Sequence, residues 1–144
     1  EYLETQGVAV ATFADGRTGK VEFPAFYSRE SGVPSPMVVQ DATEAANMIH
    51  AHHSLGLQSG LVFGNPIPRE VEVPFERMEV AILQAIAEAT AAGATGSKAT
   101  PYILAKIKDL TGDESIVANR ALIEANVTMG TNVAKALSQI EANQ

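Results

Sequence analysis

Cysteine is absent from this sequence of 144 residues. Its absence excludes disulfide bonds, thiolate nucleophiles and the cysteine-based class of zinc site. It is compatible with a reducing compartment, and no signal or transit peptide is visible at the start of the sequence. We therefore expect an intracellular, soluble protein of the cytoplasm or of an organelle matrix.

Positive charge is also scarce. Lysine and arginine number 10 against 17 aspartates and glutamates, which gives a formal net charge of −7. Because a nucleic-acid groove needs clustered basic side chains to displace counterions from phosphates, we expect no nucleic-acid partner. One or two basic groups with backbone N–H groups can still hold the phosphate of a small molecule. No apolar run is long enough to span a bilayer, so we expect no membrane partner either.

Apolar residues make up 46% of the chain, which fits one globular domain over residues 1–144. The periodicity predicts, in order, a helix end, a strand, a loop, a strand, a helix, a strand and three helices. Strands separated by helices indicate an α/β fold with a parallel or mixed sheet. Three strands are few for so many helices, so we expect a further segment to complete the sheet.

The first residues indicate where that segment belongs. Glu1–Gln6 has the pattern of the last turn and a half of an amphipathic helix, and Gly7 fits its C-cap. Isolated helices of that length are marginal in water. We therefore expect the natural chain to extend upstream of Glu1.

The internal helices are predicted with defined starts and inward faces. Asp41, with Glu44 three residues later, predicts an N-cap, while Pro74 and Thr100-Pro101 begin the next two helices and Ser115 caps the last. The stripes predicted to face the core are Ala42, Ala45, Ala46 and Ile49; Phe75, Met78, Ile82 and Ile86; Ile103, Leu104, Ile107 and Leu110; and Ala118, Leu122, Asn126, Met129, Val133 and Leu137.

Asn65 is a candidate binding residue because it follows the predicted strand Ser59–Phe63, whose successive apolar residues indicate cover on both faces. Ligands of open α/β sheets bind at the carboxyl ends of strands, and an amide can both donate and accept hydrogen bonds. The alternative interpretation is a turn that the Asn65 side chain forms before Pro66.

Asn126 lies on the apolar stripe of the last predicted helix, and Asn119 precedes it by two turns on nearly the same face. A buried amide needs hydrogen-bond partners or it costs about 1–3 kcal/mol. Either these amides satisfy backbone groups inside the core, or one of them binds the polar edge of a ligand such as a nucleobase. The sequence leaves both interpretations open.

Other candidate motifs are weaker. The small polar stretch Gly96–Pro101 has N–H groups that could hold an anion, but an ordinary helix start is the favoured interpretation. His50, His52 and His53 lack the four-residue spacing of zinc-binding helices, so we interpret them as surface and helix-end residues. No close carboxylate pair of the kind that glycosidases use is present. These residues alone predict no reaction.

Five segments occur in an order and spacing that resemble the pseudouridine-5′-phosphate glycosidase family, also called indigoidine synthase A-like. The resemblance covers essentially the whole chain, and its strength lies in the five segments together. The segments are Glu1–Val8, Glu22–Tyr27, Gly64–Pro68, Lys98–Leu104 and Ala118–Gly130.

The resemblance implies an α/β/α sandwich that assembles as a homotrimer, with this chain as its C-terminal half. It implies reversible cleavage of the C–C glycosidic bond of pseudouridine 5′-phosphate to uracil and ribose 5-phosphate. The opened ribose is held as an imine on a lysine, a glutamate moves protons, and an aspartate binds a divalent metal, typically Mn²⁺. Those three residues belong to the N-terminal half of the family. We therefore expect no catalytic residue, no metal ligand and no activity in this chain alone.

Asn126 matches the family asparagine that hydrogen-bonds uracil, while Asn65 and Asn119 match positions whose roles the resemblance does not fix. The chain departs from the bacterial pattern in its longer loop, Ala14–Val21, and in Glu124-Ala125-Asn126, which replaces a pair of asparagines. Some eukaryotic members carry a fused sugar kinase, and the longer loop suits such a relative. The alternative is a non-enzymatic module of the same fold, for sugar-phosphate or nucleotide binding or for oligomerisation.

Overall fold

A computed structural model describes residues 2–143. The strands are β1 Ala9–Phe13, β2 Met37–Val39 and β3 Leu61–Gly64. The α-helices are α1 Tyr2–Thr5, α2 Ala42–Ser54, α3 Phe75–Ala91, α4 Ala99–Thr111 and α5 Glu114–Ala142, and two single turns of 3₁₀ helix cover Arg69–Val71 and Gly96–Lys98. This element order is the predicted one.

The strands form one sheet in the order β2-β1-β3, and both pairs are parallel. The predicted α/β class with a parallel sheet is therefore confirmed. The central strand β1 is almost entirely buried, whereas the first three residues of β3 are only half-buried. Cover on both faces, which the run of apolar residues predicted, is incomplete within residues 2–143, since Leu61, Val62 and Phe63 are only half-buried.

The first helix ends at Thr5, one residue earlier than predicted, and Gly7 closes it as predicted. Gly7 has φ +77°, and its N–H donates to the Glu4 carbonyl at 2.9 Å while the Val8 N–H donates to the Leu3 carbonyl at 3.0 Å. These bonds satisfy carbonyl groups that the helix leaves free. Glu1, which we assigned to the same helix, lies outside the described residues.

The N-cap predicted at Asp41 is confirmed. Its Oδ1 accepts hydrogen bonds from the N–H groups of Thr43 and Glu44 at 2.8 and 2.9 Å. The cap predicted at Ser115 was wrong, because α5 already begins at Glu114. The Ser115 hydroxyl, buried in the first turn, instead donates to the Gly112 carbonyl at 3.4 Å.

Two clusters of buried side chains form the core, and α5 contacts both. The larger lies between α3, α4 and α5, and it comprises Tyr27, Ile67, Val73, Met78, Ala85, Ile107, Ala118 and Leu122. The smaller joins the sheet to α2 and comprises Ala11, Phe13, Val39 and Ala45, with Met129 and Val133 of α5 packed against it. The 29 residues of α5 span roughly 43 Å, which allows one helix to reach both clusters.

The inward faces of α3 and α4 were only partly predicted. Met78 of α3 and Ile107 of α4 are buried, but Phe75 and Ile86 of α3 and Leu104 and Leu110 of α4, all predicted inside, are exposed. The other residues that α3 buries are Ala81, Ala85 and Ala89. Small side chains at this spacing allow α3 to lie close to α4, and the larger residues then fall on the sides of the helix.

Within residues 2–143, no helix is both long and apolar enough to cross a bilayer.

The loop between β1 and β2 is held by two arginines. Arg29 is buried, and its Nη1 donates to Asp15 Oδ2 at 2.7 Å and to the Ile67 carbonyl at 2.9 Å. Arg17 Nη1 donates to the Arg29 carbonyl at 2.6 Å, and Arg17 Nη2 donates to the Phe13 carbonyl at 2.8 Å. These bonds fix the loop against the end of β1 and against the segment that follows β3.

Glu22 organises the middle of the same loop. Its Oε2 accepts hydrogen bonds from the N–H groups of Gly32 and Ser31 at 2.6 and 2.9 Å. These two backbone bonds lower the pKa of the Glu22 carboxyl below its ordinary value. The backbone at Glu22 also forms an isolated antiparallel bridge with Pro34, so main-chain bonds join the same two parts of the loop as the carboxylate does.

Ile107 and Leu110 of α4 have side chains of the same size but differ in burial. Replacing each by alanine should therefore lower the free energy of unfolding by different amounts. Ile107 is 4% exposed and Leu110 is 41% exposed. In the 144-residue chain, Ile107→Ala should lower the free energy of unfolding by about 2–5 kcal/mol and Leu110→Ala by about 1 kcal/mol or less. Chemical denaturation measures both, and equal losses would contradict the assigned face of α4.

The Glu22 contacts predict a titration in the loop. The folded state favours the charged carboxylate of Glu22. Its stabilising hydrogen bonds are therefore fully present above pH 4.5, the ordinary pKa of a glutamate side chain, and they are lost as the pH falls through the lowered pKa. The NMR shifts of the Ser31 and Gly32 amides should titrate together with a midpoint below 4.5. In Glu22→Gln this titration should vanish. A wild-type midpoint at or above the ordinary value would count against the two hydrogen bonds.

Candidate functional site

Two clefts meet where β3 ends, and Asn65 and Met129 line both of them. The charged cleft, under the loop between β1 and β2, has a volume of about 960 Å³. The apolar cleft, between the Phe23–Phe26 segment, β3 and α5, has a volume of about 460 Å³. Ligands of parallel α/β sheets bind beyond the carboxyl ends of the strands, so this is where the topology predicts a site.

Asn65 and Asn126 contact each other at this point. Asn65 is the first residue after β3 and is half-buried, whereas Asn126 lies in the middle of α5 and is exposed. The prediction that Asn126 faces the core with the apolar stripe of this helix was therefore wrong. Asn65 Nδ2 donates a hydrogen bond to Asn126 Oδ1 at 2.9 Å. The structure thus brings together two of the three asparagines selected from the sequence, although they are 61 residues apart.

A glycine makes room for this arrangement. Gly64, the last residue of β3, lies against the Phe23 ring and Pro24. A Cβ at position 64 would lie 2.9 Å from Phe23 Cε2 and 3.0 Å from Pro24 Cδ, closer than side-chain atoms normally approach. The Phe-Pro segment can therefore lie directly beside Asn65 only because residue 64 has no side chain.

Apolar side chains form the walls of the apolar cleft, and the amide pair forms its polar edge. Its apolar residues include Phe13, Phe23, Pro24, Phe26, Phe63, Leu122, Met129 and Val133. Apolar and aromatic walls with a few convergent polar groups are typical of sites for small flat ligands. Among residues 2–143, no acid, base or nucleophile lines this cleft. The cleft can therefore bind and orient a ring, but its described residues supply no proton or nucleophile.

The charged cleft has a different character. Its lining mixes both signs of charge, and its two buried or half-buried arginines already donate to Asp15 and to backbone carbonyls. Burial, followed by the neighbouring Arg29, lowers the pKa of Arg17. These guanidinium groups stabilise the loop, and their donors are directed at the protein rather than at the cleft.

Asn119 is separate from the other two asparagines. It lies in α5 seven residues before Asn126 and is half-buried. It is not among the residues that line either cleft. Its assignment as a substrate-binding residue remains a prediction.

The histidine cluster differs from our expectation in one member. His52 is buried rather than on the surface, because the turn after α2 places the Ser59 hydroxyl 3.1 Å from its Nε2. His53 is exposed at the helix end, as predicted. Within residues 2–143, no group of three or more histidines, aspartates or glutamates is arranged to hold a metal ion.

The stretch Gly96–Pro101 is the start of a helix, which was the favoured interpretation. Gly96–Lys98 forms a single exposed turn of 3₁₀ helix that leads into α4. It does not line either cleft, so the structure adds nothing to the anion-binding interpretation.

The cleft wall formed by Phe23 and Pro24 was not predicted from the sequence. A signal was available in Gly64, because a glycine at the end of a strand indicates close approach of another chain segment. The Phe13 and Phe63 rings, 5.9 Å apart, extend the same wall from two adjacent strands.

Comparison with known proteins agrees with this architecture. The family model described as indigoidine synthase A like protein matches residues 1–136. The pseudouridine-5′-phosphate glycosidase of Deinococcus radiodurans is 44% identical over 134 residues, which cover 93% of this chain and 41% of that protein. The chain therefore spans well under half the length of this curated relative.

Two solved structures share the fold. The prealnumycin C-glycosynthase in complex with ribulose 5-phosphate is 29% identical with a TM-score of 0.82, over 99% of this chain and 45% of that one. The indigoidine synthase A-like protein from Thermotoga maritima is 28% identical with a TM-score of 0.76, over 95% of this chain and 42% of that one. The resemblance inferred from the five segments is confirmed. The chain belongs to the indigoidine synthase A-like family.

Proposed function

We propose that this chain is the C-terminal half of a pseudouridine-5′-phosphate glycosidase and forms the wall that binds uracil. The observation that carries the proposal is the Asn65–Asn126 amide pair at the polar edge of the apolar cleft. Uracil is a flat ring whose edge alternates carbonyl acceptors and N–H donors. An asparagine amide offers both complementary groups.

The reaction in this proposal is reversible cleavage of the C–C glycosidic bond, which gives uracil and ribose 5-phosphate. The name of the Deinococcus relative supports the cleavage direction. The C-glycosynthase, named for the formation of a C-glycosyl bond and solved with a sugar phosphate, supports the reverse direction and the class of the second substrate.

The role of this chain in the reaction is to bind and orient the base. The apolar walls shield the faces of the ring, and the amide edge fixes its rotation within its plane. Holding the base in one orientation aligns its bond to the ribose with groups outside the cleft. No described residue of the apolar cleft can transfer a proton, so chemistry at the bond needs other residues.

Those residues belong, in this proposal, to the N-terminal half of the intact protein. They are the imine-forming lysine, the proton-transferring glutamate and the aspartate that binds Mn²⁺ or another divalent metal. The residues described in this chain do not fit such a metal, since within 2–143 none of the carboxylates and histidines cluster in a group of three.

Assembly is the second part of the proposal. Several apolar residues lie exposed on the outer sides of α3 and α5, among them Val80, Leu83, Ile116, Ile123 and Val127. Exposed apolar residues in this number favour contacts with further protein. We assign these surfaces to the N-terminal half and to the other copies of a homotrimer.

The assignment of the catalytic residues to the N-terminal half predicts which form of the protein is active. The 144-residue chain should show no release of uracil from pseudouridine 5′-phosphate, because the covalent and proton-transferring groups lie elsewhere. The full-length gene product should release uracil. Chromatography of the products measures both, and turnover by the 144-residue chain at a rate typical of an enzyme would contradict the proposal.

The role of Asn126 predicts a specific loss. In the full-length gene product, Asn126→Ala should lower kcat/KM for pseudouridine 5′-phosphate about 5- to 150-fold, the equivalent of a lost polar contact of about 1–3 kcal/mol. Asn47→Ala is the matched control, because Asn47 is exposed on α2 and lines neither cleft. Unchanged kinetics in Asn126→Ala, or an equal loss in Asn47→Ala, would remove the assigned role.

A further inference from the structure

We propose that Asn65 is a positioning residue that decides which atom of the Asn126 amide faces the base. This inference rests on the proposed function, since it concerns the same base-binding wall. Asn65 Nδ2 donates to Asn126 Oδ1 at 2.9 Å. The oxygen of Asn126 is thereby held toward Asn65, and its Nδ2, with two N–H donors, is left for the ligand.

Asn126 needs a partner to fix this orientation. The two ends of an asparagine amide have nearly the same shape, so rotation about the last side-chain bond exchanges a donor for an acceptor. Asn126 is exposed on the helix, and within residues 2–143 its amide makes no other side-chain hydrogen bond. Without Asn65, both orientations would be populated.

Asn65 is suited to impose the orientation because its own backbone is constrained. Pro66 restricts the residue before it to extended conformations. Gly64 on the other side is buried and lies against Phe23. Gly64 and Pro66 thus fix the backbone of Asn65, and its half-buried amide donates to Asn126 of α5.

The fixed orientation selects a class of ring edge. An Nδ2 donor facing the cleft pairs with a ring carbonyl, as in uracil, while the second lone pair of Asn126 Oδ1 can accept a neighbouring ring N–H. A ring with an amino group in place of that carbonyl would set donor against donor. The wall should therefore favour a C-nucleotide with a carbonyl at the contacting position over its amino analogue.

A double-mutant cycle in the full-length gene product tests the positioning contact. Asn65→Ala should lower kcat/KM for pseudouridine 5′-phosphate about 10-fold in the wild-type background, and less than about 2-fold when Asn126 is already alanine. Equal losses in the two backgrounds would overturn the inference. If Asn65→Ala does not fold, Asn65→Ser, whose hydroxyl is too short to replace the amide donor, enters the same cycle.

Base selectivity distinguishes positioning from a structural role. In Asn65→Asp the carboxylate can only accept, so Asn126 Nδ2 turns toward residue 65 and its oxygen faces the base. The preference for the carbonyl C-nucleotide over its amino analogue should fall at least about 10-fold, whereas Asn47→Asp, with the same added charge on α2, should keep it. An unchanged preference in Asn65→Asp would overturn the inference.

Side-chain NMR separates failure of this inference from failure of the proposed function. In protein labelled with ¹⁵N-asparagine, the Asn126 Nδ2 protons should exchange fast in the wild type and become protected in Asn65→Asp. Protection in Asn65→Asp without wild-type turnover of pseudouridine 5′-phosphate would support the positioning contact and reject the proposed function. No change in the Asn126 signals, with normal wild-type turnover, would reject the positioning contact alone.

Discussion

The hydrogen bond from Asn65 to Asn126 joins the end of the edge strand to the middle of the longest helix. It lies where the two clefts meet, so it sets the boundary between a charged surface and an apolar one. Beside this bond, the Phe23–Pro24 segment packs against the end of β3. Gly64 permits that packing, because a side chain there would collide with the Phe23 ring.

The remainder of the structure holds these segments in place. α5 reaches both core clusters, so Asn126 lies between two residues that anchor the helix, the buried Leu122 before it and the partly buried Met129 after it. Arg29 links the loop between β1 and β2 to the carbonyl of Ile67, two residues beyond Asn65. A buried guanidinium with several acceptors is a rigid connection, since leaving any of its donors unpaired is costly. The proposed base-binding wall is therefore supported from the helix and from the loop.

The sequence predicted the elements better than their contacts. Two sequence patterns selected the candidate binding residues. Asn65 was selected because it follows a strand, and Asn126 because it lies on the stripe of a helix. Both patterns are local in sequence. The hydrogen bond between the two residues was not predictable, since it depends on how α5 lies across the sheet. The same limit explains α3, where the large residues Phe75 and Ile86 were expected inside but the alanines are buried. It also explains His52, which a turn after its helix covers.

The central claim is that the apolar cleft binds the base with the Asn126 amide at its edge. A crystal structure of the full-length gene product with uracil tests it most directly. The account predicts the ring between the Phe23 segment and α5, with Asn126 Nδ2 about 2.9 Å from a ring carbonyl oxygen and Asn65 still bonded to Asn126 Oδ1. Uracil bound in another part of the protein, with the apolar cleft occupied by side chains or solvent, would contradict it.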